Sequence, residues 1–236
     1  MCITLLEQLE KRFNSQINIF FESSCIETNV RKKTITLKCK NNDLVEDTYD
    51  LLVGADGVNS VVRKSLMSQP GFDFDQSYFN TNWKVLHLTK PDFLESQTTY
   101  GFREITKSSY IVGAALPEVN NQICLLMFWD KNLAEMSENL PGMTHANELK
   151  TKVKEILLPG LELSNEQAEK FMQQRASSVI QTKCSRYHDM EGKVVLIGDA
   201  AHGMSSRLGQ GCQAGCDDVW VFNQLLQEEN NNLDNV

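Results

Sequence analysis

Apolar positions recur at helical spacing in the first residues: Leu5, Leu6, Leu9 and Phe13 predict an amphipathic helix over 3–14. Residues 17–22, with Ile17, Ile19, Phe20 and Phe21, read as a short buried strand. The alternation of Ile35 and Leu37 with polar neighbours predicts a strand over 33–40. A second strand over 25–30 joins it through a turn at Arg31-Lys32. Residues 51–55 form an apolar run that ends in a tight turn at Asp56-Gly57, and a helix is expected over 60–66. Between 80 and 130 the pattern changes. Aromatic and β-branched residues fall in short runs at 83–88, 98–102, 110–116 and 123–129, the signature of an antiparallel sheet. Helical periodicity returns over 145–175, first in Leu149, Val153, Ile156 and Leu157, then over 166–172. A buried strand at 194–198 and a helix over 212–228 close the pattern.

Two Gly-Asp turns thus follow two apolar strands about 140 residues apart, with a mostly β segment between them. That layout predicts an α/β layer interrupted by a second, β-rich domain. The α/β part is expected over 1–79 and 180–236, and the insert over 80–179. No internal repeat and no low-complexity linker interrupts the chain.

Composition narrows the function classes. The 236 residues are 41% hydrophobic and 23% charged, ordinary for a globular chain with a real core. The formal net charge of −8 gives no basic surface for nucleic acid, and the short charged runs read as solvated faces. Seven cysteines, an odd number without a Cys-x-x-Cys pair, suit reduced thiols rather than a disulfide scaffold. Cys212 and Cys216 lie near His202 in sequence, but no further ligand pair stands at metal spacing, so no metal site is expected. No apolar run approaches membrane-spanning length, and residues 1–15 lack a signal-peptide core. The chain is expected to be cytoplasmic, or organelle-associated if the full-length protein carries an anchor.

In an open α/β sheet, ligands bind at the carboxyl ends of the strands. VGADG (53–57) and LIGDAAH (196–202) both put a carboxylate at that edge. Glycine lets backbone approach a ligand closely, and a fixed aspartate accepts hydrogen bonds from ribose hydroxyls. GQGCQAG (209–215) opens a helix whose free N–H groups and positive dipole end suit an anionic group. Each feature is common by itself, since an Asp after a strand is usually a turn residue or cap. Their joint occurrence carries the signal.

Taken together, VGADGVNSVVR (53–63) and IGDAAH…GQGxxAGxxD, which starts at Ile197, resemble the two motifs of the flavin-dependent aromatic hydroxylases, the single-component FAD monooxygenases. Within that family the likeness is greatest to the kynurenine 3-monooxygenase branch, and it extends into 65–79, 180–188 and 221–226. The resemblance implies a Rossmann-like FAD-binding domain with an antiparallel β-sheet substrate domain. It also implies hydroxylation of an aromatic substrate with FAD, NADPH and O2, with no catalytic side chain, because the cofactor supplies the chemistry. Asp56 and Gly57 would lie near the FAD pyrophosphate and the path of NADPH. Arg63 matches the motif's arginine, with a cofactor-side role and a helix-surface charge as its two readings. Gly198 and Asp199 would hold the ribitol or ribose side. Gly209, Gln210 and Gly211 would put backbone N–H groups beside the flavin ring's pyrimidine edge. His202 is expected to pack behind the loop as a structural residue.

Two departures from the family stand out. Its Gly-x-Gly-x-x-Gly unit has no counterpart here, so the chain is expected to be a fragment of a longer member or a degenerate copy. Where relatives carry a Pro-Phe-Phe-like run, this chain has Ser206-Arg207-Leu208. Arg207 either faces a substrate carboxylate or faces solvent, and Leu208 takes an aromatic's place. Phe128 and Trp129 are either substrate contacts or sheet core, and nothing in the sequence selects Tyr100, Arg103 or Tyr110 as pocket residues. The alternatives to an aromatic hydroxylase are a non-catalytic remnant that does not retain FAD, and a same-fold flavin epoxidase or reductase. Missing sheet neighbours would leave open edges through which the chain self-associates.

Overall fold

The computed structural model describes residues 2–13, 15–107, 109–130, 138–191, 193–205 and 209–232. Along the chain run α1 (Cys2–Phe13), β1 (Ser24–Asn29), β2 (Thr34–Lys38), β3 (Leu44–Thr48), β4 (Leu52–Gly54) and α2 (Val61–Leu66). Four strands follow: β5 (Phe74–Thr89), β6 (Tyr100–Ile105), β7 (Tyr110–Glu118) and β8 (Gln122–Asp130). Then come α3 (Ala146–Lys152), a π-helical turn (Val153–Leu157), α4 (Asn165–Gln173) and β9 (Ser177–Cys184). The last elements are β10 (Val194–Leu196), α5 (Asp199–His202) and α6 (Gly211–Glu228). The chain divides into two compact units: it leaves the first after Asp75, builds the second, and returns at Thr182.

In the first unit β1, β2 and β3 form an antiparallel meander, with Thr28 opposite Ile35 and Thr36 opposite Glu46. β4 and β10 pair in parallel, Leu52 with Val194 and Gly54 with Leu196. Both are short apolar runs, and each lands on a glycine that lets the chain turn at the sheet's carboxyl edge. α2 starts where Ser60 caps it: its Oγ accepts from the Arg63 N–H at 2.8 Å. The core is small, drawn from Val62, Leu66, Phe72, Val194, Leu196, Ala200 and Ala201.

The second unit is a five-stranded sheet in the order β6-β7-β8-β5-β9. Period-two alternation buries one face: Leu86, Leu88, Ile123, Leu125, Met127 and Trp129 point to a core shared with Leu149, Val153, Leu157 and Phe171 from the helical segment. Burying one such side chain stabilises by about 1.5–3 kcal/mol. α4 begins with a reciprocal cap: Gln167 N donates to Ser164 Oγ at 3.1 Å, and Ser164 N donates to Gln167 Oε1 at 2.8 Å. Gly113 lies so close to its neighbour that a Cβ would fall 2.1 Å from the Leu126 carbonyl and 2.5 Å from the Phe102 ring. One buried charge interrupts the apolar interior. Lys84 donates to Asn139 Oδ1 at 2.7 Å and to the Phe171 carbonyl at 2.9 Å, and burial pushes its pKa down to about 8.

The sheet predicted over 80–130 and the helices over 145–175 are present. The strand predicted at 17–22 is not: that stretch is irregular, and Phe20 and Phe21 are 71% and 67% exposed. A strand there would need a neighbour to receive its ladder bonds, and none pairs with it among the described residues. β3 went unforeseen because Leu44–Thr48 is exposed at every position and shows no apolar alternation. Among the described residues no helix is long and apolar enough to cross a membrane.

Candidate functional site

The parallel pairing of β4 with β10 sets the two Gly-Asp turns side by side. Ala55, Gly57, Ile197, Gly198, Asp199, Gly211, Cys212 and Gly215 line a cleft of about 380 Å³ at this edge. Four of those eight are glycines, so the wall there is largely backbone. Gly57 and Gly198 adopt φ of +77° and +56°, which an L side chain would strain. Gly215 in α6 comes within side-chain-free contact of Gly198, with its missing Cβ 3.6 Å from the Gly198 Cα.

Asp56 and Asp199 each end a strand-to-turn run, but they do not share a task. The Asp56 carboxylate accepts from Val61 N at 2.6 Å, from Val62 N at 3.2 Å and from the Ser60 hydroxyl. Its oxygens are taken up by the first N–H groups of α2 and by the Ser60 cap, and it is not among the cleft-lining residues. Asp199 is exposed at the cleft, and a Cβ on Gly211 would stand 4.0 Å from its Oδ1. Its carboxylate is the one placed to meet a ligand hydroxyl.

Arg63 is 3% exposed, so the helix-surface reading is corrected. Nη1 donates to the Ala200 carbonyl at 2.8 Å, Nη2 to the Val58 carbonyl at 2.6 Å, and the guanidinium lies 4.4 Å over the Phe74 ring. Burial lowers its pKa, opposed by the neighbouring Cys184 and Asp56. The side chain ties the loop after the first turn to α5 after the second. Residues 193–203 receive two further ties. Thr182 donates its N–H to the Gly203 carbonyl at 2.8 Å and accepts from Gly203 N at 2.6 Å. Asp218 Oδ2 accepts from Gly198 N at 2.7 Å and meets His202 Nε2 at 2.7 Å, while the His202 ring packs edge-on to Tyr187 at 5.4 Å. His202 therefore holds the turn from behind. Asp218 was not singled out in the sequence; its signal was the last position of the second motif, one turn of helix beyond Gly215.

The N-terminus of α6 faces the same cleft through Gly211, Cys212 and Gly215. No side chain caps this 18-residue helix and no acidic residue stands in its first turn. Its leading N–H groups are thus available to a ligand. Gly209 and Gln210 are exposed just ahead of it, and the Gln210 carbonyl accepts from Ala214 N at 3.0 Å. Arg207 and Leu208 lie outside the described residues, as does Ser206. Phe128 and Trp129 project to opposite faces of the second unit's sheet, as successive strand residues must. Trp129, 1% exposed, belongs to the core. Phe128, 5% exposed, stands on the other face beside Trp83 and Val112, its register partners.

A family model described as an FAD binding domain matches residues 9–231. The kynurenine 3-monooxygenase of Flavobacterium psychrophilum is 26% identical over 214 residues, 90% of this chain and 47% of that protein. That of Drosophila melanogaster is 28% identical over 217 residues, 90% of this chain and 44% of that protein. The chain spans about half the length of the curated relatives it matches. Among solved structures, 2-methyl-3-hydroxypyridine-5-carboxylic acid oxygenase in its tetrameric form aligns with a TM-score of 0.60 at 22% identity, covering 95% of this chain and 56% of that one. The tetracycline destructase Tet(51) aligns at 0.58 and 16%, covering 94% and 56%. These structural likenesses establish a shared fold, an α/β layer with an antiparallel insert.

Proposed function

The chain belongs to the family of FAD binding domains, and from that premise we propose that it forms the flavin-holding part of a monooxygenase. The enzyme would use NADPH and O2 to hydroxylate an aromatic substrate of the kynurenine kind, as the names of its relatives suggest. The observation that carries this reading is the glycine-walled cleft where β4, β10 and α6 bring the two Gly-Asp turns together.

The residues present fit a flavin dinucleotide. Gly57, Gly198, Gly211 and Gly215 leave room for backbone-close contact with a phosphate or sugar. Asp199 is free to accept from ribityl or ribose hydroxyls, and the uncapped N-terminus of α6 offers N–H groups to an electron-rich edge. Bound FAD would supply the redox and oxygen chemistry. The protein's part is positional. Asp218 fixes the Gly198 N–H and His202, Thr182 clamps Gly203, and Arg63 locks Ala200 to Val58. On this reading the N–H groups of Gly209, Gln210 and Gly211 would stabilise negative charge on the flavin's pyrimidine edge. Asp56 acts here through α2, whose first N–H groups it holds.

The test is direct. The purified chain, mixed with FAD and desalted, should keep a flavin absorbance spectrum, and kynurenine should then stimulate NADPH oxidation above a panel of other aromatic acids. Loss of all flavin on desalting would overturn the assignment.

A second reading is favoured by one observation: no residue of α6 is fully buried, and Trp220 is 61% exposed. On that reading the chain is a non-catalytic remnant unable to retain FAD. Loss of the flavin on desalting from a folded chain would select it.

A further inference from the structure

The second unit carries a cluster that the flavin reading does not use. His87, Glu118 and Cys124 stand on the sheet face opposite the core, on three adjacent strands. Register places them: His87 lies directly opposite Cys124 across β5 and β8, and Leu116 faces Cys124 from β7 with Glu118 two residues further along the same face. Their alternation partners Leu86, Leu88, Ile123 and Leu125 are buried on the other side.

β5 and β7 flank β8 on either side, so their backbones are separated by two strand spacings, about 10 Å. The side chains of His87 and Glu118 nevertheless meet, Nδ1 to Oε2 at 2.9 Å. They arch over the short thiol of the strand between them. A ring nitrogen of His87, a carboxylate oxygen of Glu118 and Cys124 Sγ all lie within 4.8 Å of one another. Ligand atoms around a tetrahedral zinc stand about 3.5 Å apart, so modest side-chain rotation closes the set. The donors are an imidazole nitrogen, a carboxylate oxygen and a sulfur. Calcium and magnesium take oxygen donors, whereas this mixture suits a borderline dication.

We propose that His87, Glu118 and Cys124 form a binding site for a zinc-class divalent cation, with a fourth position left to water. The three protein ligands come from three neighbouring strands, so the ion would staple β5, β8 and β7 together at one end of the sheet. Binding takes the thiol to the thiolate and gives its proton to solvent. Burial and the Glu118 charge keep that thiol protonated until a cation arrives. The arrangement, three ligands and an open position, is also the one from which zinc polarises a bound molecule.

Cobalt(II) added to the whole chain is the probe. One equivalent should bind and give a thiolate-to-cobalt charge-transfer band, displaced by zinc. Cys124→Ser should abolish the band, and His87→Ala and Glu118→Gln should each weaken cobalt binding at least tenfold. Cys212→Ser and Cys216→Ser should leave it intact. Zinc should also raise the melting temperature of the wild-type chain in a concentration-dependent way, and not that of Cys124→Ser. Absence of the band in the wild-type chain, or its survival in Cys124→Ser, overturns the site. Should Cys124→Ser lose its far-ultraviolet signal, His87→Ala decides, because that side chain is exposed: unchanged cobalt affinity overturns the proposal.

Discussion

The two units solve the burial problem differently. The second packs one face of a five-stranded sheet against three helical pieces, and its core runs continuously from Leu86 through Trp129 to Phe171. The first has seven buried core residues among those described, a two-stranded parallel sheet, and a long helix with no fully buried residue. Around it Ile3, Phe20, Phe21, Val219 and Trp220 are exposed. Yet the glycine-walled cleft proposed to hold flavin belongs to this sparse unit. Its precision comes from polar ties instead of apolar mass: Asp56, Arg63, Thr182 and Asp218 each fix a backbone group. Packing makes a scaffold stiff everywhere, whereas such ties make one edge stiff where a ligand must sit. A ligand bound there would stabilise this unit further, with the logarithm of its concentration over Kd.

If packing rules the second unit, the same small substitution should cost more there. Gly113→Ala drives a Cβ to 2.1 Å from a backbone carbonyl that cannot move without breaking the β7–β8 ladder. We expect a loss of more than about 4 kcal/mol or failure to fold, read by denaturant unfolding with Trp129 as reporter. In the first unit, Gly54→Ala puts a Cβ 2.8 Å from the Val62 Cβ. The Val62 Cβ moves only with its backbone, so α2 must shift off the small core beneath it; about 1–3 kcal/mol is expected, together with weaker flavin retention. A Gly54→Ala cost equal to that of Gly113→Ala would erase the contrast.

Lys84 tests the second unit by pH. Its folded pKa, about 8, lies below that of the unfolded chain, near 10.4. Below both values the two states hold the proton alike and the burial penalty is constant. Between them the unfolded state binds more protons, so stability should rise with pH, by roughly 1 kcal/mol per unit. Lys84→Met should flatten that rise in a melting series from pH 7 to about pH 10; an unchanged slope would assign it to another group. The smallest stability effect is expected at the site itself. Asp199→Ala, an exposed position, should change stability by less than about 0.5 kcal/mol while abolishing retained FAD after desalting. Unchanged flavin occupancy would remove Asp199 from the ribose-side role.

Much of this contrast was legible in the sequence. The strand runs of 83–129 and the helical stripe of 149–157 were readable because their apolar residues follow the period of the structure they pack into. The two Gly-Asp turns were readable because glycine and aspartate at a strand end report backbone geometry. What failed was burial that depends on a neighbour. Ile17, Ile19, Phe20 and Phe21 look like core by composition, but none of them is buried, and Phe20 and Phe21 lie largely in the open. Arg63 looks like surface by type, but two carbonyls and an aromatic ring surround it. Asp56 and Asp199 both stand beside a glycine just past a strand, and only hydrogen-bond geometry separates the carboxylate taken up by α2 from the one exposed at the cleft. Asp218 closes the second motif, but its task was not legible there: its partner Gly198 is twenty residues away, and no local pattern announces a backbone N–H in need of an acceptor.

The order of strands in the second unit carries a kinetic consequence. β5 brings the chain into that sheet and β9 takes it out, and the two are neighbours within it. For an unstructured chain, bringing Asp56 and Asp199 together closes a loop of about 140 residues, at an entropic cost of about 4 kcal/mol. Once β5 and β9 lie side by side, most of that loop is already closed. The insert should therefore fold first and act as a clasp, delivering the two halves of the cleft to each other. In stopped-flow refolding with FAD present, flavin quenching should lag the Trp129 signal, and mutations that slow β5–β9 pairing should lengthen the lag.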